Sequence, residues 1–203
     1  MLFDNLLVIS VCLAFLAYLI GSISGALIVS RLMNLPDPRT LGSGNPGATN
    51  VLRSSGKKAA VITLCIDVFK GIIAVLIAKL LSDAALVLAA VTLAVFLGHL
   101  YPIFFQFRGG KGVATAFGAL LMLAWQVGLA LLATWLFTAI LFRYSSLAAI
   151  SAAILTPAYL FWFLPGWEYM VMSFIMSGLL IWRHSSNIHN LLTGQEDKID
   201  EKA

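Results

Sequence analysis

Charge is what this sequence has least of: Asp, Glu, Lys and Arg make up 11% of 203 residues, while 61% are hydrophobic. Residues 85–98 and 113–142 contain none of the four charged types. That excludes a water-soluble domain of this length, which must keep a large polar exterior. Lipid is the solvent such stretches require, and in lipid every backbone polar group has to be satisfied within the chain. Cysteine is scarce too. Cys12 and Cys65 both lie inside apolar segments, so neither a disulfide framework nor a metal site is expected. No Lys or Arg precedes the apolar run from Leu6 to Ile20, and apolar residues continue past Ala26, so the start reads as a retained helix, with a cleaved export signal the minor alternative. An internal repeat and a soluble domain are also missing, which leaves 1–203 as a single integral membrane domain.

What is present is a series of apolar segments. The first covers roughly 5–32, and a polar, Gly-rich, basic stretch follows from 33 to 58. Further apolar segments run over about 59–81, 85–105, 113–124, 127–142, 147–163 and 168–182, before a polar tail whose charges from Glu196 onward read as a solvated end. The stretch 113–142 is either one overlong helix or two short ones joined near Trp125 and Gln126, at ~1.5 Å per residue. Charge placement decides. With two helices, the loops carrying Arg31, Arg39, Arg53, Lys57, Lys58, Arg108, Lys111, Arg143 and Arg183 all share one face, as short cytoplasmic loops should. The expectation is an all-α polytopic bundle of about seven transmembrane helices, N-terminus periplasmic and C-terminus cytoplasmic, with the shortest helices accommodated by local thinning.

Three polar clusters fall on the basic face. Leu41-Gly-Ser-Gly-Asn-Pro-Gly-Ala-Thr-Asn-Val-Leu-Arg53 offers Gly42, Gly44 and Gly47, which permit positive φ, together with Ser43, Asn45, Thr49 and Asn50 as polar side chains. Phe107-Arg-Gly-Gly-Lys-Gly-Val-Ala-Thr115 sets Gly109, Gly110 and Gly112 around Lys111 just before an apolar helix, a setting for an anion. It is not a nucleotide P-loop, because Phe105 stands where the earlier glycine belongs and Gly112 follows the lysine. Arg183-His-Ser-Ser-Asn-Ile-His189 ends the last helix, with His184 and Asn187 three apart and therefore neighbours on a helical face. Arg53, Lys111 and Arg183 could then surround one or two phosphates.

Taken singly, these residues have plainer readings. Basic side chains serve as topology signals or headgroup contacts, and glycines serve as turns. His99, before Tyr101 and Pro102, fits a helix-terminal hydrogen bond better than catalysis, and His189 fits an interfacial position. Asp67 and Lys70 are spaced to pair on one helix face, either as a functional site or as a structural pair between helices. In the loop Arg143-Tyr-Ser-Ser146 a hydroxyl could reach the same site or simply cap the next helix.

At these motifs the sequence resembles the acyl-phosphate:glycerol-3-phosphate acyltransferase family of small bacterial membrane proteins. The likeness covers nearly the whole chain: Gly21-Ser-Ile-Ser24, the 42–50 motif, Gly98-His99 with Tyr101-Pro102, Gly-Gly-Lys-Gly at 109–112, and His184 to Asn187. The surroundings most resemble gammaproteobacterial members. The resemblance implies transfer of a fatty acyl group from acyl phosphate to the 1-hydroxyl of glycerol 3-phosphate, at the cytoplasmic side of the inner membrane. It implies no cofactor, no metal and no nucleic acid, with membrane lipids as surroundings and functional coupling to the enzyme making acyl phosphate; oligomeric state is left open. Carried over residue by residue, Ser43, Thr49, Arg53, Lys111, His184 and Asn187 match the family's site positions, with Ser145 or Ser146 beside them; of the roles then assigned, Ser43, Lys111, His184 and Asn187 are expected to be catalytic. Arg53, Thr49, Asn45, Gly44, Gly47, Gly109, Gly110, Gly112 and Ser146 are expected to bind substrate.

The His-x-x-x-x-Asp signature of the other large glycerolipid acyltransferase class is missing, since Phe104, His189 and Gly194 stand five residues beyond the three histidines. There is no Gly-x-Ser-x-Gly elbow. A covalent acyl-enzyme is therefore disfavoured, and a substrate phosphate oxygen could itself take the proton. The rival expectation is a small anion or organophosphate transporter, which would want polar groups near the midplane and usually a repeat.

Overall fold

The structure, a computed structural model, describes residues 2–199, and all regular structure among them is helical. The helices are α1 (Leu2–Gly21), α2 (Gly25–Leu32), α3 (Ala48–Ser55), α4 (Lys57–Leu81), α5 (Ala85–Leu100), α6 (Val113–Leu123), α7 (Trp125–Phe142), α8 (Ser145–Phe163), α9 (Trp167–Arg183) and α10 (Ser185–Thr193). Five stretches are long and apolar enough to cross a membrane: Leu7–Leu32, Lys57–Leu81, Ala85–Phe105, Trp125–Phe142 and Ser145–Phe163. α6, with 11 residues, and α9, with 17, are shorter. Large apolar side chains such as Phe15, Phe137, Ile140, Phe161, Trp162 and Phe174 stand exposed, as lipid-facing residues do.

α5 is the hub of the bundle, flanked by α1, α4, α6 and α9, with Val87, Val91, Val95, Phe96 and Leu100 at the core. Small residues let these helices meet backbone to backbone, which supplies packing where lipid offers no hydrophobic drive. A Cβ on Gly98 would lie 2.3 Å from the Tyr18 carbonyl of α1, and one on Gly118 would lie 2.1 Å from the Val68 carbonyl of α4.

The expected continuous helix over 5–32 is broken at 22–24. Gly21 and Gly25 flank the break, Ser24 caps α2 by accepting from Leu27 N, and Asp67 and Lys70 of α4 satisfy backbone groups that the break exposes. Residues 113–142 do form two helices, parted at Ala124. The break leaves carbonyls of α6 without helical partners, and the Lys79 ammonium reaches across from α4 to the Met122 and Leu123 carbonyls, 2.9 Å from each. Pro157 inside α8 has no N–H to give the Ala153 carbonyl, which instead accepts Ser177 Oγ from α9 at 2.7 Å.

The polar stretch 33–58 contains α3, and the chain past Arg183 is not a free solvated end. α10 ends in a left-handed Gly194, after which the tail turns back so that Ile199 N donates to the Arg143 carbonyl at 2.9 Å.

Candidate active site

Residues from all three polar clusters line one cavity of about 450 Å³. Its polar mouth carries Ser43, Asn45, Thr49, Arg53, Lys111, Ser145, Ser146, His184, Asn187 and Glu196. Its walls are apolar, formed by α4, α6, α7 and α8, with Leu64, Phe117, Leu131, Trp135 and Ala153 among them. Thr156, also on the wall, lies eleven residues beyond Ser145 in α8, about 16 Å along the helix axis. Leu64, Leu132 and Leu136 line the cavity yet are 45%, 37% and 43% exposed, so the wall between α4 and α7 opens toward lipid.

The first loop is built around buried Asn50. Its side-chain oxygen accepts Ser43 N at 3.1 Å, while its amide nitrogen donates to the Pro38 and Leu41 carbonyls at 2.8 and 3.1 Å. Gly44 has the expected positive φ of 68° but sits behind the loop, off the cavity wall. Gly47 departs from expectation, with an extended φ of −134°. Glycine leaves room there for the Asn45 amide, since a Cβ would lie 2.7 Å from Asn45 Nδ2 and push that side chain aside. The N–H groups of Ser43, Gly44 and Gly47 are all engaged within the loop, so this segment offers side chains to a ligand in place of those amides. Thr49 meets Ser145 across the mouth, hydroxyl to hydroxyl at 3.1 Å.

In the second loop Gly112 takes a φ of 88° and starts α6, whose first N–H groups have no partner within the helix. Gly110 N–H, by contrast, donates to the His99 carbonyl at 3.2 Å and is not free for an anion. Gly109 and Gly110 do not border the cavity; they are glycines because a Cβ would lie 2.0 Å from the His99 carbonyl and 2.3 Å from His99 Nε2, respectively. Arg183 approaches from the other side, donating to the Gly109 and Gly110 carbonyls at 3.0 and 3.3 Å. It therefore secures the loop, and it is not among the residues that line the cavity. Lys111 projects into the mouth and donates to Asn187 Oδ1.

His184 is buried, 3% exposed, and its Nδ1 lies 2.8 Å from the Leu180 carbonyl. A carbonyl only accepts, so Nδ1 carries the proton and neutral His184 keeps an unprotonated Nε2. Burial, opposed by that carbonyl and reinforced by the nearby charges of Lys111 and Arg183, lowers the His184 pKa to about 4. Burial also lowers Lys111, against the pull of Glu196 and with the push of Arg183 and Arg53.

Two acidic residues of the tail complete the mouth. The Glu196 carboxylate accepts from Ser146 Oγ at 2.6 Å and from Asn187 Nδ2 at 2.7 Å. Arg53, 11% exposed at its side chain, donates to Asp197 Oδ2 at 3.1 Å and to the carbonyls of 197 and 198 at 2.8 and 2.9 Å. Nothing in a polar tail marks these residues beforehand; only the fold brings them back. Asp67 and His99 also border the cavity, beneath the second loop. Among the described residues no group of three or more His, Cys, Asp or Glu is placed to hold a metal ion.

A hydroxyl acceptor, an ammonium, a guanidinium and amide donors above a long apolar wall suit an amphiphile with a phosphate head. Residues 11–194 match the model of the family described as glycerol-3-phosphate acyltransferase. A glycerol-3-phosphate acyltransferase of Methylococcus capsulatus is 55% identical over 186 residues, 92% of this chain and 94% of that protein. One from Thioalkalivibrio sulfidiphilus is 53% identical over 186 residues, 92% of each chain. The crystal structure of PlsY (YgiH), an integral membrane glycerol 3-phosphate acyltransferase, in its glycerol 3-phosphate form superposes with a TM-score of 0.88 at 41% identity, over 93% of this chain and 94% of that one. Its lysophosphatidic acid form gives 0.86 at 40%, with the same coverage.

Proposed function

The chain belongs to the glycerol-3-phosphate acyltransferase family, and on that premise we propose that this integral membrane acyltransferase moves a fatty acyl group from acyl phosphate to the 1-hydroxyl of glycerol 3-phosphate. The products are 1-acyl-glycerol 3-phosphate and inorganic phosphate, and the reaction begins phospholipid synthesis. The observation that carries this reading is a single cavity with a cationic mouth and an apolar, lipid-open wall. Both substrates bring a phosphate for the mouth, and the acyl tail fits the wall.

Lys111 and Arg53 neutralise phosphate, Arg53 exchanging the Asp197 carboxylate for a substrate oxygen. Asn187, held by Glu196, fixes the Lys111 ammonium, and Ser43, Thr49, Asn45 and Ser146 orient the heads through hydrogen bonds. Gly112 and the start of α6 present N–H groups to phosphate or to the developing oxyanion. The glycerol hydroxyl oxygen attacks the acyl carbonyl carbon while the carbon–oxygen bond to phosphate breaks and its electron pair leaves with phosphate. The proton passes to the departing phosphate, with His184 Nε2 accepting the hydroxyl hydrogen bond that aims the attack. Gly44, Gly109 and Gly110 lie off the cavity and serve by letting the loops close, while Gly47 borders it.

The chain crosses the inner membrane seven times, N-terminus periplasmic, with its active site on the cytoplasmic side and the enzyme making acyl phosphate as its upstream neighbour. The convergence of Arg53, Lys111 and Arg183 around one end of the bundle supports this orientation. The deciding experiment is inorganic phosphate release by the purified protein in detergent, given acyl phosphate with and without glycerol 3-phosphate. Release dependent on glycerol 3-phosphate is expected, falling by about 100-fold or more in Lys111→Ala, as when an oxyanion-stabilising group is removed. No release from folded protein would return the site to anion transport.

A further inference from the structure

Beneath the second loop lies a buried ionic cluster that the reaction above does not use. Asp67, Lys70 and His99 are 2%, 4% and 6% exposed. The Lys70 ammonium has three N–H groups and finds three acceptors: Asp67 Oδ1 at 2.9 Å, His99 Nδ1 at 2.8 Å and the Ile23 carbonyl at 2.7 Å. Asp67 Oδ1 in turn accepts from Gly25 N at 3.3 Å. Because Nδ1 accepts from Lys70, the neutral ring carries its proton on Nε2, the atom that faces Gly110. The Gly110 N–H donates back to the His99 carbonyl. One unit therefore ties the α1–α2 break, α4, α5 and the loop bearing Lys111. A buried charge cluster of this kind is weak evidence for stability but strongly specifies geometry when every member is satisfied.

We propose that Asp67, Lys70 and His99 form a positioning unit, in which Lys70 fixes the His99 ring and the ring and backbone of His99 set the height of the Gly109–Gly112 loop, and so the reach of Lys111 into the mouth. The inference rests on the assignment of Lys111 to substrate phosphate. The role assigned to His99 runs through Gly110, beneath the loop, although the residue also borders the cavity.

The experiment compares His99→Asn, His99→Gln and Lys111→Ala with wild type in detergent, measuring kcat and KM for glycerol 3-phosphate and acyl phosphate beside thermal unfolding. The Asn amide oxygen stands where Nδ1 stands and keeps the Lys70 contact; the Gln amide stands nearer Nε2 and loses it. A misplacement near 1 Å costs on the order of 100-fold, so His99→Gln is expected to raise KM for a phosphate-bearing substrate and to lower kcat/KM by about 10- to 100-fold, with His99→Asn, which keeps the Lys70 contact and the backbone bond to Gly110 but not the ring, losing less. A merely structural role reduces the amount of active enzyme, which lowers the maximal rate and leaves KM alone; that result, or equal behaviour of Asn and Gln, overturns the proposal. If His99→Gln does not fold, Gly110→Ala carries the test, since its Cβ falls 2.3 Å from His99 Nε2. Its loss is expected to be smaller in the His99→Asn background, and additive losses overturn the unit. Lys111→Ala separates the two levels: full activity there removes the site assignment itself, whereas inactivity beside unchanged His99 variants removes only the positioning unit.

Discussion

Protonating His184 in place means placing a cation in a buried setting beside Lys111 and Arg183. Its folded pKa, about 4, lies below the ordinary imidazole value of 6.5, so between these the folded state binds fewer protons than the unfolded chain. Stability from this group is therefore complete above the unfolded value and is lost as pH falls through the folded one. A pH–rate profile is expected to show no step near 6.5 from His184, and the thermal midpoint is expected to fall as pH is lowered from 6.5 toward 4. A step near 6.5 that disappears in His184→Gln would contradict the buried, neutral ring. Lys111 shifts in the same direction by burial, so free enzyme loses this cation below the ordinary lysine value of 10.5. At this scale the motifs singled out Lys111, Arg53, His184 and Asn187 because each stands among glycines and amides on the basic face, and the fold brings all four to one cavity. His99 was not, since a histidine near a helix end looks the same whether it caps a carbonyl or braces a loop.

Helix joints account for the next layer of prediction. Ser177→Ala strands the Ala153 carbonyl and should cost about 1–3 kcal/mol, read as a lowered unfolding midpoint in detergent. In a Pro157→Ala background the residue at 157 supplies the missing N–H, and Ser177→Ala should then cost little. Gly98→Ala drives a Cβ into the Tyr18 carbonyl and should cost about 1–3 kcal/mol by forcing α1 and α5 apart. The break at Ala124 was readable from charge, because only two helices put the basic loops on one face. The break at 22–24 was not: its stabilisers, Asp67 and Lys70, lie more than forty residues away, and hydropathy passes through Ser-Ile-Ser without interruption. The tail escaped for a similar reason, as Glu196 and Asp197 acquire partners only when α10 turns the chain back.

For the molecule as a whole, the proposed reaction lays the acyl chain along the apolar wall, which makes chain length the property to test. Ala153→Phe, placed on the wall in α8, is expected to lower kcat/KM for long acyl phosphates by about tenfold or more while sparing short ones, since a methylene in a pocket is worth ~1–3 kcal/mol. Equal loss for all lengths would mean that the tail lies elsewhere. The cavity also opens on two sides at once, to water at Lys111 and to lipid between Leu64 and Leu136. One reactant is therefore counted per volume and the other per area of bilayer or micelle. Adding empty micelles at fixed total substrate dilutes the acyl donor in its two-dimensional phase and leaves glycerol 3-phosphate untouched. On the proposed reaction this makes the enzyme a phase-transfer catalyst fixed at the boundary, with a rate set by how crowded the membrane surface is with activated acyl chains.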